Sequence, residues 1–315
     1  MTLLLTCLTQ NFAVQTSDRR LTRLNGEIAE EAANKATLVG NYMSYAYTGL
    51  AACAIRKPTD ELLLESMGQQ GNPVQLMEGL AEKAAKGIRN LPLGVPPSKR
   101  RIVRRTSFVG CGFVGLRNPE PFGRSASHDE LHPLLVVVSN AQGIDEVWRP
   151  EADWEFTVSQ KWLSTDSPFL LHVAGQPLRD EERKSLEREL RRVLKRQIHP
   201  ESVARLLTRT VRAVSARNIT VGPNVMSLIT RRADVFSTDI SPGSGFFPVS
   251  DGGRSESGFF RFDKSGDHSA RWIYAPVDAT ANSFYGPNIA YPGQVMMKGI
   301  FFGREEDVPP GIVDA

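Results

Sequence analysis

The amino-terminal stretch MTLLLTCLTQNFAVQTSDRRL places two β-strand patterns at the start of the chain. Residues 2–9 and 12–17 are rich in apolar and β-branched residues, and Asn11 lies in the short connection between them, as in a β-hairpin. Terminal residues are usually frayed unless they are tied into a sheet. The pattern therefore predicts an amino terminus held in a sheet. It also predicts that the second strand ends at Asp18, beside Thr2.

The composition indicates a folded protein with a large core. The chain has 315 residues, 41% of them hydrophobic, and a formal net charge of +3. This suits one large domain, or one domain with an appended module, and argues against global disorder. Cys7, Cys53 and Cys111 are far apart and form no CxxC pair. We expect them to be buried small residues rather than a disulfide framework or a zinc site.

The chain lacks the patterns of a signal peptide and of a transmembrane helix. The first ten residues have no positively charged start, and Thr2, Thr6 and Thr9 interrupt their apolar run. Elsewhere no apolar run reaches the roughly 18 residues of a transmembrane helix. We therefore expect a soluble cytoplasmic protein without membrane contact.

The order of predicted elements indicates a mixed α/β fold. A second hairpin is predicted over 36–48, broken at Gly40-Asn41, and helices begin at Thr59, as the cap of DELLLESM, and at Asn72-Pro73. Further strands are predicted at 101–116, 132–143, 154–160, 169–175 and 224–232, and further helices at 180–197 and 200–217. This order predicts helices packed on antiparallel sheets.

After about residue 236 the composition shifts to Gly, Ser, Pro and Phe. The stretch SPGSGFFPVSDGGRSESGFFRF carries no helix signal, and short strands alternate with turns up to Gly303. We expect residues 1–234 to form the main domain and residues 235–315 to form a β-rich extension. Its role is not readable from the sequence; covering a cleft and mediating assembly are both open.

Thr2 is a candidate nucleophile. Removal of Met1 alone would expose a free α-amine beside the Thr2 hydroxyl, and such an amine is a base that can activate it. Asp18 returns to Thr2 in the hairpin, and Lys35 opens the next hairpin. A Lys near the hydroxyl would favour its deprotonation, and an Asp would hold that Lys. By spacing alone, a surface salt bridge between Asp18 and Lys35 remains the alternative.

These residues, in this order, resemble the proteasome-type N-terminal nucleophile (Ntn) hydrolases. Their β subunits begin at a catalytic Thr and continue to an Asp-x-Arg motif, a Lys and a Gly-x-Ala-Ala run. The matching pieces here are Thr2, SDRR with Asp18 and Arg20, NKA with Lys35, and TGLAAC with Gly49, Ala51 and Ala52. The resemblance covers roughly residues 2–232. It implies a four-layer αββα sandwich and an oxyanion role for the Gly49 backbone N–H.

The chain departs from the family in the residues that support the terminal amine. The family's turn Asp is Asn218 here, its Ser is Val221, and its Gly-Ser-Gly appears as Gly175-Gln176-Pro177. Asn218 can still accept a hydrogen bond from the amine but cannot carry charge. Cys53 replaces a family Asp outside the core set.

Three other features carry weaker functional signals. SKRRIVRR could contact phosphates, but without interleaved aromatic residues a solvated strand edge or subunit contact is favoured, and nucleic-acid binding is not expected. His128 and His132 are the only histidine pair near metal-ligand spacing, and we expect no metal there. The Gly-rich stretches do not lead into a helix, so phosphate binding is not predicted.

Two functions follow as hypotheses. In the first, the protein is a threonine peptidase or amidase whose substrate is a peptide or another amide. In the second, it is a non-catalytic structural or ring-forming subunit of the same fold, as Asn218, Val221 and Gln176 favour. A retained Met1 would cap the amine and exclude the first mechanism. A homo-oligomer, with a possible regulatory partner and no cofactor, is expected in either case.

Overall fold

In the computed structural model the described residues are 2–30, 33–39, 42–54, 57–115, 131–196, 199–232, 245–248, 259–262, 270–274, 284–285, 287–291, 295–297 and 301–302. The helices are α1 (Thr59–Met67), α2 (Pro73–Arg89), α3 (Pro97–Val103), α4 (Asp180–Arg196) and α5 (Pro200–Ser215). The strands are β1 (Leu3–Leu8), β2 (Phe12–Asp18), β3 (Leu21–Thr22), β4 (Ile28–Glu30), β5 (Ala36–Val39), β6 (Met43–Thr48), β7 (Ala52–Ala54), β8 (Lys57–Pro58), β9 (Ser107–Gly115), β10 (Leu131–Ser139), β11 (Thr157–Trp162), β12 (Leu170–Gly175), β13 (Val225–Arg231), β14 (Gly245–Pro248), β15 (Phe259–Phe262), β16 (Ala270–Tyr274), β17 (Phe284–Tyr285), β18 (Asn288–Tyr291), β19 (Val295–Met297) and β20 (Phe301–Phe302).

Two large sheets organise these elements. One has the strand order β12-β1-β2-β13-β14, and the other has the order β11-β10-β9-β6-β5-β18-β19. The strands of both sheets pair antiparallel, except that β18 pairs parallel with β5. The predicted mixed α/β fold with antiparallel sheets is therefore confirmed.

The core lies in three apolar clusters that follow the alternation of side chains along the strands. In β1, Leu3 and Leu5 pack with residues of α4 and α5, whereas Leu4 and Leu8 pack with residues of the seven-stranded sheet. The third cluster joins the seven-stranded sheet to α1 and α2. Because β1 is buried on both faces, its sequence LLLTCL is apolar at successive positions, with Thr6 as the one polar residue.

The helix signals of the sequence are confirmed at α2 and are corrected at α1. Asn72 caps α2 with a complete capping box, in which its side chain accepts from Gln75 N and the Gln75 side chain accepts from Asn72 N. Thr59, predicted as a cap, is instead the first residue of α1. Its hydroxyl donates to Leu50 O at 2.7 Å, so a contact with a neighbouring loop replaces the cap.

The basic segment is a second correction. Residues 97–103 form α3, and β9 begins only at Ser107, so the strand predicted from residue 101 starts too early. Pro97 lies at the first turn of α3, where its fixed φ favours a helix start. Arg101 pairs with Glu151 at 2.7 Å and with Asp153 at 3.7 Å. The segment is thus a helix whose Arg101 is paired with two carboxylates, and the prediction of a solvated strand edge is wrong.

Strands from the carboxy-terminal part of the chain extend both large sheets. β14 pairs with β13 at one edge of the first sheet, and β18 pairs with β5 in the second. Cys7, Cys53 and Cys111 are all buried with free thiols, as predicted. Among the described residues, no helix is both long and apolar enough to cross a bilayer.

Candidate active site

The first hairpin returns Asp18 to the start of the chain. β1 and β2 pair with Leu4 opposite Ser17. This pairing brings Leu3 and Asp18 together at the open end of the hairpin. There the backbone N of Leu3 donates to Asp18 Oδ2 at 2.7 Å. Asp18 is fully buried. The hairpin predicted from the amino-terminal sequence therefore places a carboxylate directly beside Thr2.

Four donors hold the Asp18 carboxylate. Besides Leu3 N, the backbone N–H groups of Arg20 and Gly222 donate to its Oδ1 atom at 3.0 and 3.3 Å. The fourth donor is Lys35 Nζ, at 3.1 Å from Oδ1. Because these donors come from four separate segments, the carboxylate has one defined orientation.

Lys35 makes the central contact of the site. Its Nζ lies 2.7 Å from Thr2 Oγ1, 3.1 Å from Asp18 Oδ1 and 2.5 Å from Arg20 O, so each of its three protons has an acceptor. Both side chains of the Lys35–Asp18 ion pair are fully buried. Burial lowers the pKa of Lys35, and the Asp18 carboxylate opposes that shift.

The main chain of Thr2 is fixed opposite its hydroxyl. The Thr2 carbonyl accepts from Gln176 N at 2.8 Å and from Thr48 Oγ1 at 3.2 Å. Gly175 makes this close approach possible, because a Cβ there would lie 1.9 Å from Thr2 O and its φ is +83°. Thr2 itself is 5% exposed. The hydroxyl is thus held on Lys35 from one side, while the residue after β12 and the last residue of β6 hold the backbone from the other.

Gly49 follows β6 and lies next to this carbonyl contact. The residue before it, Thr48, is the one that donates to Thr2. Gly49 has a φ of +109°, and a Cβ would lie 2.2 Å from Arg105 O, so only glycine fits. The structure therefore places Gly49, directly after β6 of the seven-stranded sheet, near Thr2, directly before β1 of the five-stranded sheet. Its predicted oxyanion role stays a prediction.

Of the two supporting residues, Asn218 lies in the loop between α5 and β13, and Arg20 reaches this loop from just after the end of β2. Arg20 Nη1 donates to Ile219 O at 2.6 Å and to Val221 O at 3.3 Å, which ties this loop to the Lys35 site. The amide oxygen of Asn218 accepts from both the backbone N and the hydroxyl of Thr220, at 3.0 and 2.8 Å. Asn218 therefore uses its amide oxygen within its own turn, while Val221 is buried in the core.

Sequence reasoning did not single out Thr48 and Gly222. Thr48 directly precedes the predicted Gly49, and Gly222 directly follows Val221, so proximity to predicted residues was the available signal. Their contacts join residues 46 and 204 positions apart in the chain. Such contacts depend on how the sheets pack, which no local pattern reports.

A buried histidine lies three residues before Gly175. His172 is 1% exposed, and its Nδ1 is 3.6 Å from a carboxylate oxygen of Glu146. Burial, followed by the positive charges of Arg183 and Lys161, lowers the pKa of His172 to about 4. The imidazole is therefore neutral near pH 7. The predicted pair of His128 and His132 cannot be judged as a unit, because His128 lies outside the described residues.

Comparison with known proteins gives distant structural matches only. No family model and no curated protein matches the chain. Anbu from Pseudomonas aeruginosa, solved as a helical assembly of the Anbu complex, matches with a TM-score of 0.43 and 15% identity, covering 72% of this chain and 81% of that one. Anbu from Yersinia bercovieri, described as an ancestral beta-subunit, matches with a TM-score of 0.43 and 11% identity, covering 73% and 82%. Anbu from Hyphomicrobium sp. strain MC1 matches with a TM-score of 0.39 and 17% identity, covering 72% and 82%.

These matches are too distant to assign a function. Their TM-scores lie below 0.5 and their identities do not exceed 17%. The geometry around Thr2 therefore remains the basis for a functional assignment.

Proposed function

We propose that the protein is a threonine-type N-terminal nucleophile hydrolase that cleaves a peptide or another amide bond after removal of Met1. One observation carries the proposal: Lys35 Nζ lies 2.7 Å from Thr2 Oγ1 while it is paired, in a buried site, with Asp18. A buried ammonium at this distance stabilises the negative charge that develops on a hydroxyl oxygen during attack.

The reaction would proceed by covalent catalysis. Thr2 Oγ1 attacks the amide carbonyl, and the Thr2 α-amine takes the hydroxyl proton. The tetrahedral oxyanion is bound by the Gly49 N–H, and the protonated α-amine gives its proton to the leaving amine as the C–N bond breaks. Water, with its proton taken by the α-amine, then hydrolyses the ester on Thr2 and releases the acid. Lys35 keeps its proton throughout, and Asp18 holds Lys35 in place.

The proposal extends to architecture. The three apolar clusters support a four-layer αββα sandwich, with α4 and α5 on one outer face and α1 and α2 on the other. A main domain of residues 1–234, an extension of residues 235–315, a cytoplasmic location and assembly into a homo-oligomer belong to the same proposal. Gel filtration with light scattering would test the assembly.

A second candidate function is a non-catalytic subunit of the same fold. The observation that favours it concerns the α5–β13 loop, where the resemblance places residues that support the terminal amine. Asn218 directs its amide oxygen to Thr220, and the buried Val221 offers no polar side chain to an α-amine. A subunit of this kind would retain the Lys35–Asp18 pair as structure and would show no turnover.

Intact mass of the purified protein is the first test, since a species that still carries Met1 contradicts the simple enzyme mechanism. If Met1 is removed, we expect a β-lactone, which acylates activated hydroxyl groups, to add one acyl group to Thr2. Thr2→Ala should abolish this adduct and the hydrolysis of acyl-amide substrates, whereas Thr9→Ala, a buried threonine elsewhere in the hairpin, should leave acylation in place. Persistent labelling of Thr2→Ala would place the nucleophile elsewhere.

A further inference from the structure

A buried asparagine from the carboxy-terminal part of the chain contacts the segment that carries Lys35. Asn288 is the first residue of β18, is fully buried and lies opposite Thr37 of β5. Asn34 Nδ2 donates to Asn288 Oδ1 at 2.8 Å, and Asn34 Oδ1 accepts from Ala36 N at 3.1 Å. The amide of Asn34 therefore joins β18 to the backbone on the far side of Lys35.

The same asparagine also reaches the loop that follows Gly49. Asn288 Nδ2 donates to Asp60 O, in the first turn of α1, at 3.3 Å. The preceding helix residue, Thr59, donates its hydroxyl to Leu50 O at 2.7 Å. Leu50 is the neighbour of Gly49 in the chain. A single buried side chain thus lies between the segment of the proposed ammonium and the segment of the proposed oxyanion donor.

We propose that Asn288 is a positioning residue for the Thr2 site, a role that rests on the proposed function. Asn288 does not touch Thr2. Through Asn34 it sets the distance between Lys35 Nζ and Thr2 Oγ1. Through α1 it sets the position of the loop that carries Gly49. Misplacing a catalytic group by about 1 Å costs up to about 100-fold in rate. The strand β18 therefore belongs to the functional unit, and a site built only from the first 234 residues is incomplete.

The test compares Asn288→Ala with Ala290→Gly in the full-length protein. Ala290 is also fully buried, lies on the same strand and pairs with Val39, so its variant weakens β18 while it keeps the Asn288 amide. The labelling rate of Thr2 by the β-lactone is measured against pH for both variants. Hydrogen exchange of the amides of residues 33–38 is measured on the same samples, since it needs no catalysis.

For Asn288→Ala we expect labelling slower by about tenfold to a hundredfold. We also expect the rise of the rate with pH, which follows deprotonation of the Thr2 α-amine, to move to higher pH, because a displaced Lys35 ammonium repels the proton on that amine less. Exchange at residues 33–38 should rise by about tenfold or more. Ala290→Gly, at a comparable melting temperature, should keep the wild-type pH profile. The labelling rate of the double variant with Asn34→Ala should fall by less than the product of the two single effects, because both variants remove the Asn34–Asn288 hydrogen bond.

Two results would overturn the positioning role. The first is an Asn288→Ala variant that keeps the wild-type pH profile and exchange rate. The second is an Ala290→Gly variant with the shifted pH profile and faster exchange expected for Asn288→Ala. This second result would show that Asn288 contributes only to the packing of β18. If the wild-type protein itself is not labelled, the proposed function fails. The exchange measurement still reports whether Asn288 holds the Lys35 segment.

Discussion

Replacement of Lys35 by Met tests the centre of the site without depending on a substrate. Met has a similar length but carries no charge, so the variant leaves the Asp18 carboxylate buried without its counter-ion. Both side chains of the pair are fully buried, so solvent does not screen the interaction. Removing one partner of a buried ion pair typically costs about 3–5 kcal/mol of unfolding free energy.

The contacts of Asp18 place the expected cost at the lower end of this range. Three backbone N–H groups, those of Leu3, Arg20 and Gly222, still donate to the carboxylate after the ammonium is gone. A loss of about 3 kcal/mol corresponds to a fall of roughly 6–12 °C in melting temperature for a domain of this size. Thermal unfolding followed by circular dichroism measures this shift.

Lys184→Met is the matched control. Lys184 is exposed on α4, and surface substitutions of this kind usually change stability by less than about 0.5 kcal/mol. Acylation of Thr2 should be lost in Lys35→Met and retained in Lys184→Met. A Lys35→Met protein that melts with the control would refute the buried ion pair as a stabilising contact. A variant that is still acylated at the wild-type rate would refute the role of Lys35 in activating Thr2.

Three further outcomes follow from the structure. Gly175→Ala should slow Thr2 acylation and lower the melting temperature, because its Cβ would lie 1.9 Å from Thr2 O at a φ of +83°; Gly115→Ala, which meets no atom within 4 Å, should change neither. The unfolding free energy should fall by up to about 3 kcal/mol as the pH drops from about 6.5 to about 4, because His172 with its lowered pKa stays neutral in the folded state while the unfolded histidine takes up a proton. Urea unfolding at both pH values should show this loss, and the substitution His172→Gln should remove most of it. Asn72→Ala should cost about 1 kcal/mol by removing the capping box of α2 and should leave acylation unchanged, so a coupled loss of acylation would contradict the assignment of Asn72 to stability alone.

Local sequence patterns predicted the parts of the site that neighbouring residues build. The β-branched and apolar runs of β1 and β2 pair across a short connection, and this pairing carries Asp18 back to Thr2. The spacing of the two hairpins indicated Asp18 and Lys35 as candidates, whereas Gly49 came only from the resemblance to proteasome-type β subunits. The structure places these hairpins in two different sheets, β1 and β2 in one and β5 and β6 in the other. The helix start at Asn72 was readable from local pattern, since its capping partners lie within three residues.

The tertiary structure decided what distant residues contribute. The helix α3 replaces the start of a predicted strand, and its Arg101 pairs with Glu151 and Asp153 on another loop, contacts that no local pattern reports. The backbone N–H of Gly222 reaches Asp18 across 204 residues, and Asn288 reaches Asn34 across 254. Contacts of this range are set by the packing of whole sheets, whereas local pairing is set by the residues that pair. The sequence alone therefore determined the hairpin of the site, and only the assembled sheets supplied the groups that hold it.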